Sequence, residues 1–241
     1  MRILCVALLC GATSLLRAGG SDSFNLKKPR LLSELEKKTL WATQYYVHQF
    51  KSCGNIPLLD ESARGTGLYA DSCNFCKSVM EGTAFVTDSF GKLFCINFAR
   101  GADDTSWMDC RGCAGKAMIN ARTFWTVASG FGLGVRNYHL QPYRTIAVDP
   151  AIIPIGTVLF VPALRGRSMV LPNGKRVTHD GYFFAGDKGS AIQGNHIDVF
   201  TGLNTDNPFP SVIKSESSGT FEAYIVTDHT LIAVLRELHT Q

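Results

Sequence analysis

Beyond the first ten residues, every cysteine lies between positions 53 and 113: Cys53, Cys73, Cys76, Cys95, Cys110 and Cys113. Nothing else in the sequence constrains the fold as strongly. Cross-links or a metal in that stretch would fix one segment covalently and leave the rest of the chain to its own core. An even number of thiols in an exported chain reads as a disulfide framework, with too many possible pairings for sequence to choose among. The spacings Cys73-x-x-Cys76 and Cys110-x-x-Cys113 would also suit a tetrahedral thiolate zinc site. The choice turns on the compartment.

The N-terminus bears on that choice. Arg2 precedes an apolar run from Ile3 to Leu16, followed by small residues at Ala18, Gly19 and Gly20. This is the pattern of a secretory signal peptide over residues 1–18. The run falls short of the roughly 20 apolar residues that a membrane span needs, and no later segment supplies one. Cys10 raises the question of a lipid anchor, but Leu9 is bulky where such signals want a small residue. A soluble, secreted (periplasmic or extracellular) product is expected, and in an oxidising compartment disulfides are the favoured reading. The formal charge is +4; losing Arg2 and Arg17 with the leader brings it close to neutral. Without a basic stripe, nucleic acid is a poor partner.

The cysteine boundary divides the chain. Leu31, Leu32, Leu35 and Lys38 have helical spacing, which predicts a helix over 31–40. The aromatic and β-branched run Trp41–His48 predicts a strand. Residues 51–120 read as an irregular, cross-linked insertion. From about Tyr143 onward, short apolar runs alternate with turn signals: Asp149-Pro150, Pro154-Ile155-Gly156 and Pro172-Asn173-Gly174. Strands are expected at 145–148, 157–161, 168–171, 176–178, 181–185, 196–201 and 221–227, with 230–238 either a helix or a last strand. The expected organisation is a leader (1–18), an N-terminal helix and first strand (19–50), the insertion (51–120) and a β core (121–241).

The segment richest in chemistry runs from Gly186 to Phe200, Gly-Asp-Lys-Gly-Ser-Ala-Ile-Gln-Gly-Asn-His-Ile-Asp-Val-Phe. Its glycines allow positive φ and close approach of the backbone to a ligand. In the strand that follows, Ile197 and Val199 point one way and His196, Asp198 and Phe200 the other. A carboxyl between an imidazole and an aromatic ring is a candidate acid/base, because an apolar neighbour raises its pKa. On pattern alone, Asp187 as a turn cap and Asp198 as a solvated strand residue is the simpler account.

The placement of three aspartates adds to this. Asp149 in Ala-Val-Asp-Pro-Ala-Ile-Ile-Pro-Ile-Gly-Thr, Asp187 in Gly-Asp-Lys-Gly-Ser-Ala-Ile-Gln-Gly and Asp198 in His-Ile-Asp-Val-Phe resemble the three-aspartate (3D) domain of the membrane-bound lytic transglycosylase A family. The resemblance covers roughly residues 139–203, and Thr43-Gln44-Tyr45-Tyr46 resembles the family's opening strand. It implies a mainly β fold: a six-stranded double-psi β-barrel, here with an N-terminal helix and a cysteine-rich insertion. It also implies peptidoglycan glycan strands as partner and cleavage of the β-1,4 bond between N-acetylmuramic acid and N-acetylglucosamine. Asp198 would be the acid/base, supported by Asp187 and Asp149, with substrate contacts from Lys188, Gln193, His196 and Tyr46. Lys188 and Gln193 stand where the family usually has Thr and Lys, which bears on sugar preference. The resemblance implies no cofactor and no metal.

Other features are weaker. His-Glu-x-x-His and Gly-x-Ser-x-Gly motifs are absent, and His139, His179 and His196 lack metal-ligand spacing. Trp41, Trp107, Trp125, Tyr45 and Tyr46 are candidates for stacking on sugar rings, although most aromatics belong to a core. Asp103-Asp104 reads as a loop. A non-catalytic, expansin-like wall-binding module and a disulfide-stapled adhesion or inhibitor domain are the rival classes. A monomer is expected.

Overall fold

The structure is a computed structural model that describes residues 24–103, 106–114 and 118–240. The expected leader and Asp104 lie outside the described residues. The chain begins with β1 (Lys37–Tyr45), β2 (His48–Lys51), β3 (Ile56–Asp60) and β4 (Gly65–Ala70). Helix α1 (Ser72–Glu81) leads to β5 (Thr83–Thr87), β6 (Leu93–Gly101) and β7 (Trp107–Asp109). The short α2 (Arg111–Ala114) precedes β8 (Met118–Asn120) and β9 (Thr123–Ala128). Next come β10 (Thr145–Val148), β11 (Val158–Phe160), β12 (Ser168–Val170) and β13 (Arg176–Thr178). The chain ends with β14 (Tyr182–Asp187), β15 (His196–Phe200), β16 (Phe221–Ile225) and α3 (His229–Leu238). Among the described residues no helix is long and apolar enough to cross a membrane.

Six strands close a barrel in the order β1-β15-β10-β14-β11-β16. Its interior follows the two-residue period of a strand. Leu40 and Ala42 from β1, Ile146 and Val148 from β10, Phe183 and Ala185 from β14, and Ile197 and Val199 from β15 fill one buried cluster. The alternation read from 196–200 therefore holds, with Ile197 and Val199 inward. The expected helix over 31–40 does not form. Only a single 3-10 turn spans Leu32–Glu34, and Lys37 to Leu40 pair antiparallel with Phe221 to Tyr224 of β16. Pairing with β16 gives those residues a full ladder of backbone hydrogen bonds and buries Leu40 completely, and these tertiary gains outweigh local helical spacing.

The cysteine-bearing stretch is not irregular. It forms a second six-stranded sheet, ordered β2-β5-β6-β9-β3-β4, which extends past residue 120 to include β9. Leu58, Phe75, Val86, Ile96 and Trp125 form its own buried core. A further cluster joins this sheet to the outer face of the barrel: Tyr45 and Phe200 from the barrel pack with Phe85 of β5 and with Phe131.

The disulfides link the two CxxC pairs to each other, Cys73 to Cys113 and Cys76 to Cys110, and so bind α1 to α2. Cys53 and Cys95 are free, which corrects the expectation that all six are paired. Cys95 stands among partly buried core residues of the barrel-facing cluster, and burial pushes its thiol up to about 12. Alkylation of the denatured, non-reduced protein should label Cys53 and Cys95, and the other four only after reduction. Label at Cys73 or Cys76 without reductant would contradict the pairing. Reduction of one disulfide loop should cost about 3–4 kcal/mol, with a smaller further loss for the second because the loops are nested, measured by denaturant titration.

One buried ion pair anchors the N-terminal segment to the barrel. Arg144 Nη1 and Nη2 donate to the two carboxylate oxygens of Asp180 at 2.6 and 2.7 Å. Leu26 N–H donates to Asp180 at 3.0 Å, and the Phe24 ring lies 3.9 Å from the guanidinium.

Candidate active site

The site begins with strand register. β15 is flanked by β1 in parallel and β10 antiparallel, so Asp198 stands opposite Thr43 on one side and Ala147 on the other. Ala147 in turn pairs with Asp187 of β14. Residues directly paired across strands share a face, so Thr43, Asp198, Ala147 and Asp187 form one row on the outside of the barrel. With strands about 4.8 Å apart, the two aspartates are separated by about 10 Å, with a methyl group between them.

Asp187 owes its place in that row to a bulge. The β10–β14 register steps from Ile146↔Ala185 to Ala147↔Asp187 and skips Gly186. Without the extra residue, Asp187 would follow Phe183 and Ala185 into the barrel core. Bulges beside active sites redirect side chains in this way. Space is tight here: a Cβ on Gly186 would meet the Thr145 and Phe184 side chains at 3.2 Å, and one on the neighbouring Gly134 would strike the Gly186 carbonyl at 2.4 Å.

Around Asp198 the polar contacts are directional. Thr43 Oγ1 donates to Asp198 Oδ1 at 2.6 Å and lies 2.8 Å from His196 Nε2. A hydroxyl has one proton, so with that proton on Asp198 it accepts from Nε2–H. The tautomer of His196 follows, and imidazole, hydroxyl and carboxylate form a chain. Trp41 stacks on the His196 ring at 3.6 Å and an interplanar angle of 7°, which fixes the ring plane.

Asp187 is held by the hydroxyl of Tyr45 at 2.9 Å and by Lys188 N–H at 2.8 Å. Burial nevertheless pushes its carboxyl up to about 6, against both hydrogen bonds. Tyr45, buried and next to Asp187, is raised well above its ordinary value and keeps its proton. Asp149 behaves oppositely. Its oxygens accept from Gly194 N–H at 2.8 Å and Ala151 N–H at 3.0 Å, and these bonds hold its pKa below the usual carboxylate value. Asp149 therefore ties the loop before β15 to the turn after β10.

Of the other residues read from sequence, His196 joins the centre. Lys188 and Gln193 lie exposed on the loop, and Tyr46 contributes its backbone. Trp125 is a core residue of the second sheet, and Trp107 is exposed on β7. His179 is fully buried in the barrel. Among the described residues no group of three metal-ligating side chains occurs. A surface depression of ≈ 290 Å³, lined by Asp60, Thr66, Ile96 and Trp125, contains none of the site residues.

The sequence reading missed one carboxyl. Glu81, the last residue of α1, accepts a hydrogen bond from Tyr46 N–H at 3.0 Å, directly after the Tyr45 that holds Asp187. Burial, with the Asp198 charge adding to it, pushes Glu81 up to about 7, although the Tyr46 bond acts the other way. An acid immediately before the helix-ending Gly82 was the available signal.

Residues 144–207 match the 3D domain family, and this segment carries all three aspartates. Over most of its length the chain shares the fold of solved lytic transglycosylases. It resembles E. coli MltA with bound chitohexaose at a TM-score of 0.52 and 15% identity, over 78% of this chain and 71% of that one. It also resembles a membrane-bound lytic murein transglycosylase from Agrobacterium tumefaciens at a TM-score of 0.51 and 16% identity, over 81% and 76%. No curated protein sequence matches the chain.

Proposed function

We propose that this protein is an exported peptidoglycan glycosidase that cleaves the N-acetylmuramic acid–β-1,4–N-acetylglucosamine bond with Asp198 as its acid/base. The observation that carries the reading is the row Thr43–Asp198–Ala147–Asp187, of which Ala147, Asp187 and Asp198 fall within the matched 3D domain. One carboxyl is oriented by a hydroxyl–imidazole chain, and a second, raised by burial to about 6, stands two strands away.

The chemistry follows from that row. Asp198 gives a proton to the glycosidic oxygen as its bond to the anomeric carbon breaks. It then takes a proton from whichever oxygen completes the reaction. Thr43 and His196 set the direction of the carboxyl, so little reorganisation is needed as charge develops. Tyr45 and Lys188 N–H donate to Asp187 and hold its carboxyl in place beside the site. Lys188 and Gln193 flank this wall of the site, where they bear on the choice between acetylated and deacetylated sugars.

Purified sacculi incubated with the protein should release soluble muropeptides, detectable by liquid chromatography and mass spectrometry. If the protein sediments with sacculi and releases nothing, a wall-binding module replaces the enzyme.

A further inference from the structure

The segment from Ser129 to Leu140 carries the chain from β9 of the second sheet to the barrel, and it is held in an unfavourable shape. Arg136 and Asn137, consecutive and neither of them glycine, both have a φ of 59°. Left-handed backbone at such residues persists only where the surroundings impose it. Gly134 N–H donates to the Tyr138 carbonyl at 2.8 Å and closes the turn around them, and the segment is fastened at both sheets. On the second sheet, Asn97 of β6 lies on the same face as Cys95, toward the barrel, and is buried. Its amide pairs with both backbone groups of Leu133: Nδ2 donates to the carbonyl at 2.6 Å, and Oδ1 accepts from the N–H at 3.1 Å. A Cβ on Gly132 would collide with the Asn97 and Thr83 side chains, so the segment lies flat on this anchor. At the residue after Leu133 it meets the barrel. Gly134 has extended backbone that any residue could adopt, yet a Cβ there would strike the Gly186 carbonyl and stand 3.2 Å from Asp187 Cβ and Cγ. Gly186 is the bulge that turns Asp187 out of the barrel core. Asn97, Leu133, Gly134, Gly186 and Asp187 thus form one continuous line of contacts.

We propose that Asn97 and Gly134 are positioning residues of the active site: Asn97 seats the crossing segment against the Gly186 bulge, and the segment's backbone holds the Asp187 carboxyl in the row with Asp198. The proposal rests on the glycosidase reading above, and it gives the second sheet a part in a site whose row lies on the barrel. Both residues act through Asp187. At Gly134 the segment covers Asp187 with backbone alone, so it excludes water from the carboxyl without offering a charge. The ionisable groups at Asp187 are Tyr45 of β1 and Lys188 beside it, with Asp198 further along the row. Tyr45 and Lys188 favour the carboxylate, and burial outweighs them. Unseating the segment admits water, and the carboxyl then returns toward the ordinary aspartate value of about 3.9.

The test reads Asp187 directly, by pH titration of its carboxyl carbon in protein labelled with carbon-13 aspartate and assigned with Asp187→Asn. Muropeptide release from sacculi is measured alongside. In Gly134→Ala and in Asn97→Ala the midpoint should fall from about 6 by about one unit or more. Release should fall with it, by up to about 10²-fold, the cost of a small misplacement. A residue that only supports the fold would lower the melting temperature and leave the Asp187 midpoint in place. An unmoved midpoint in either folded variant would overturn the proposal, as would wild-type release from a variant whose midpoint has moved. Should Asn97→Ala not fold, Asn97→Ser, which retains a hydroxyl at the position, takes its place. No release by the wild-type protein would remove the glycosidase reading, and the titration would still decide whether the segment seats Asp187.

Discussion

Asp198→Asn should lower muropeptide release by about 10²–10⁴-fold, the range ascribed to a positioned acid/base, while the protein melts within a few degrees of wild type. Asparagine keeps an oxygen that can accept from Thr43, so the strand pairing β1–β15 and the Trp41–His196 stack have no reason to move. What disappears is the exchangeable proton. Two companion variants sharpen the result. Asp149→Ala removes the acceptor for Gly194 and Ala151 N–H, so stability and rate should fall together. Thr43→Val removes the donor to Asp198 and should lower the turnover rate more than it changes substrate affinity. Retention of more than a tenth of wild-type release by Asp198→Asn would rule the residue out as the acid.

Arg144→Met should destabilise the fold by about 3–5 kcal/mol, because it leaves the Asp180 carboxylate buried without its partner. Denaturant titration measures this, and the double variant Arg144→Met/Asp180→Leu should recover much of the loss. A single variant as stable as wild type would refute the role given to the pair. The same region sets acid sensitivity. Burial would push Asp180 up, but the Arg144 bonds and charge hold it below its ordinary value. Burial pushes His179 down to about 3 and His239 to about 4. All three bind fewer protons folded than unfolded at acid pH, so their stabilisation is complete above roughly pH 6.5, the ordinary imidazole value. It is lost as pH falls from there toward 3. Glu81 and Asp187 work in the opposite direction. Their raised values favour the fold at low pH, and that contribution fades as pH rises through about 6 and 7.

The C-terminal half was legible because its information is local. Pro150, Pro154, Asn173 and Gly174 mark turns whatever surrounds them, and the alternation around Asp198 sorts core from site. The centre itself was only half visible. Asp198, Asp187 and His196 lie within one short segment, but Thr43 and Tyr45 meet them only through the parallel pairing of β1 with β15. Glu81 was out of reach for the same reason, since it comes from helix α1 of the disulfide-linked layer. The second sheet escaped because its pairings skip along the chain, β2 to β5 and β9 to β3, and short strands joined that way leave no periodic trace. Leu31, Leu32 and Leu35 misled because helical spacing in a short run carries little weight against a barrel in need of a strand.

The bond between Thr43 and Asp198 joins positions 155 apart in the chain. A polypeptide emerging from its ribosome holds the first half of this pair long before the second exists, and any product cut short ahead of β15 never acquires it. An enzyme of this design is therefore unarmed throughout synthesis. On the proposed reading, activity begins only when the last strands close, a delay that follows from topology.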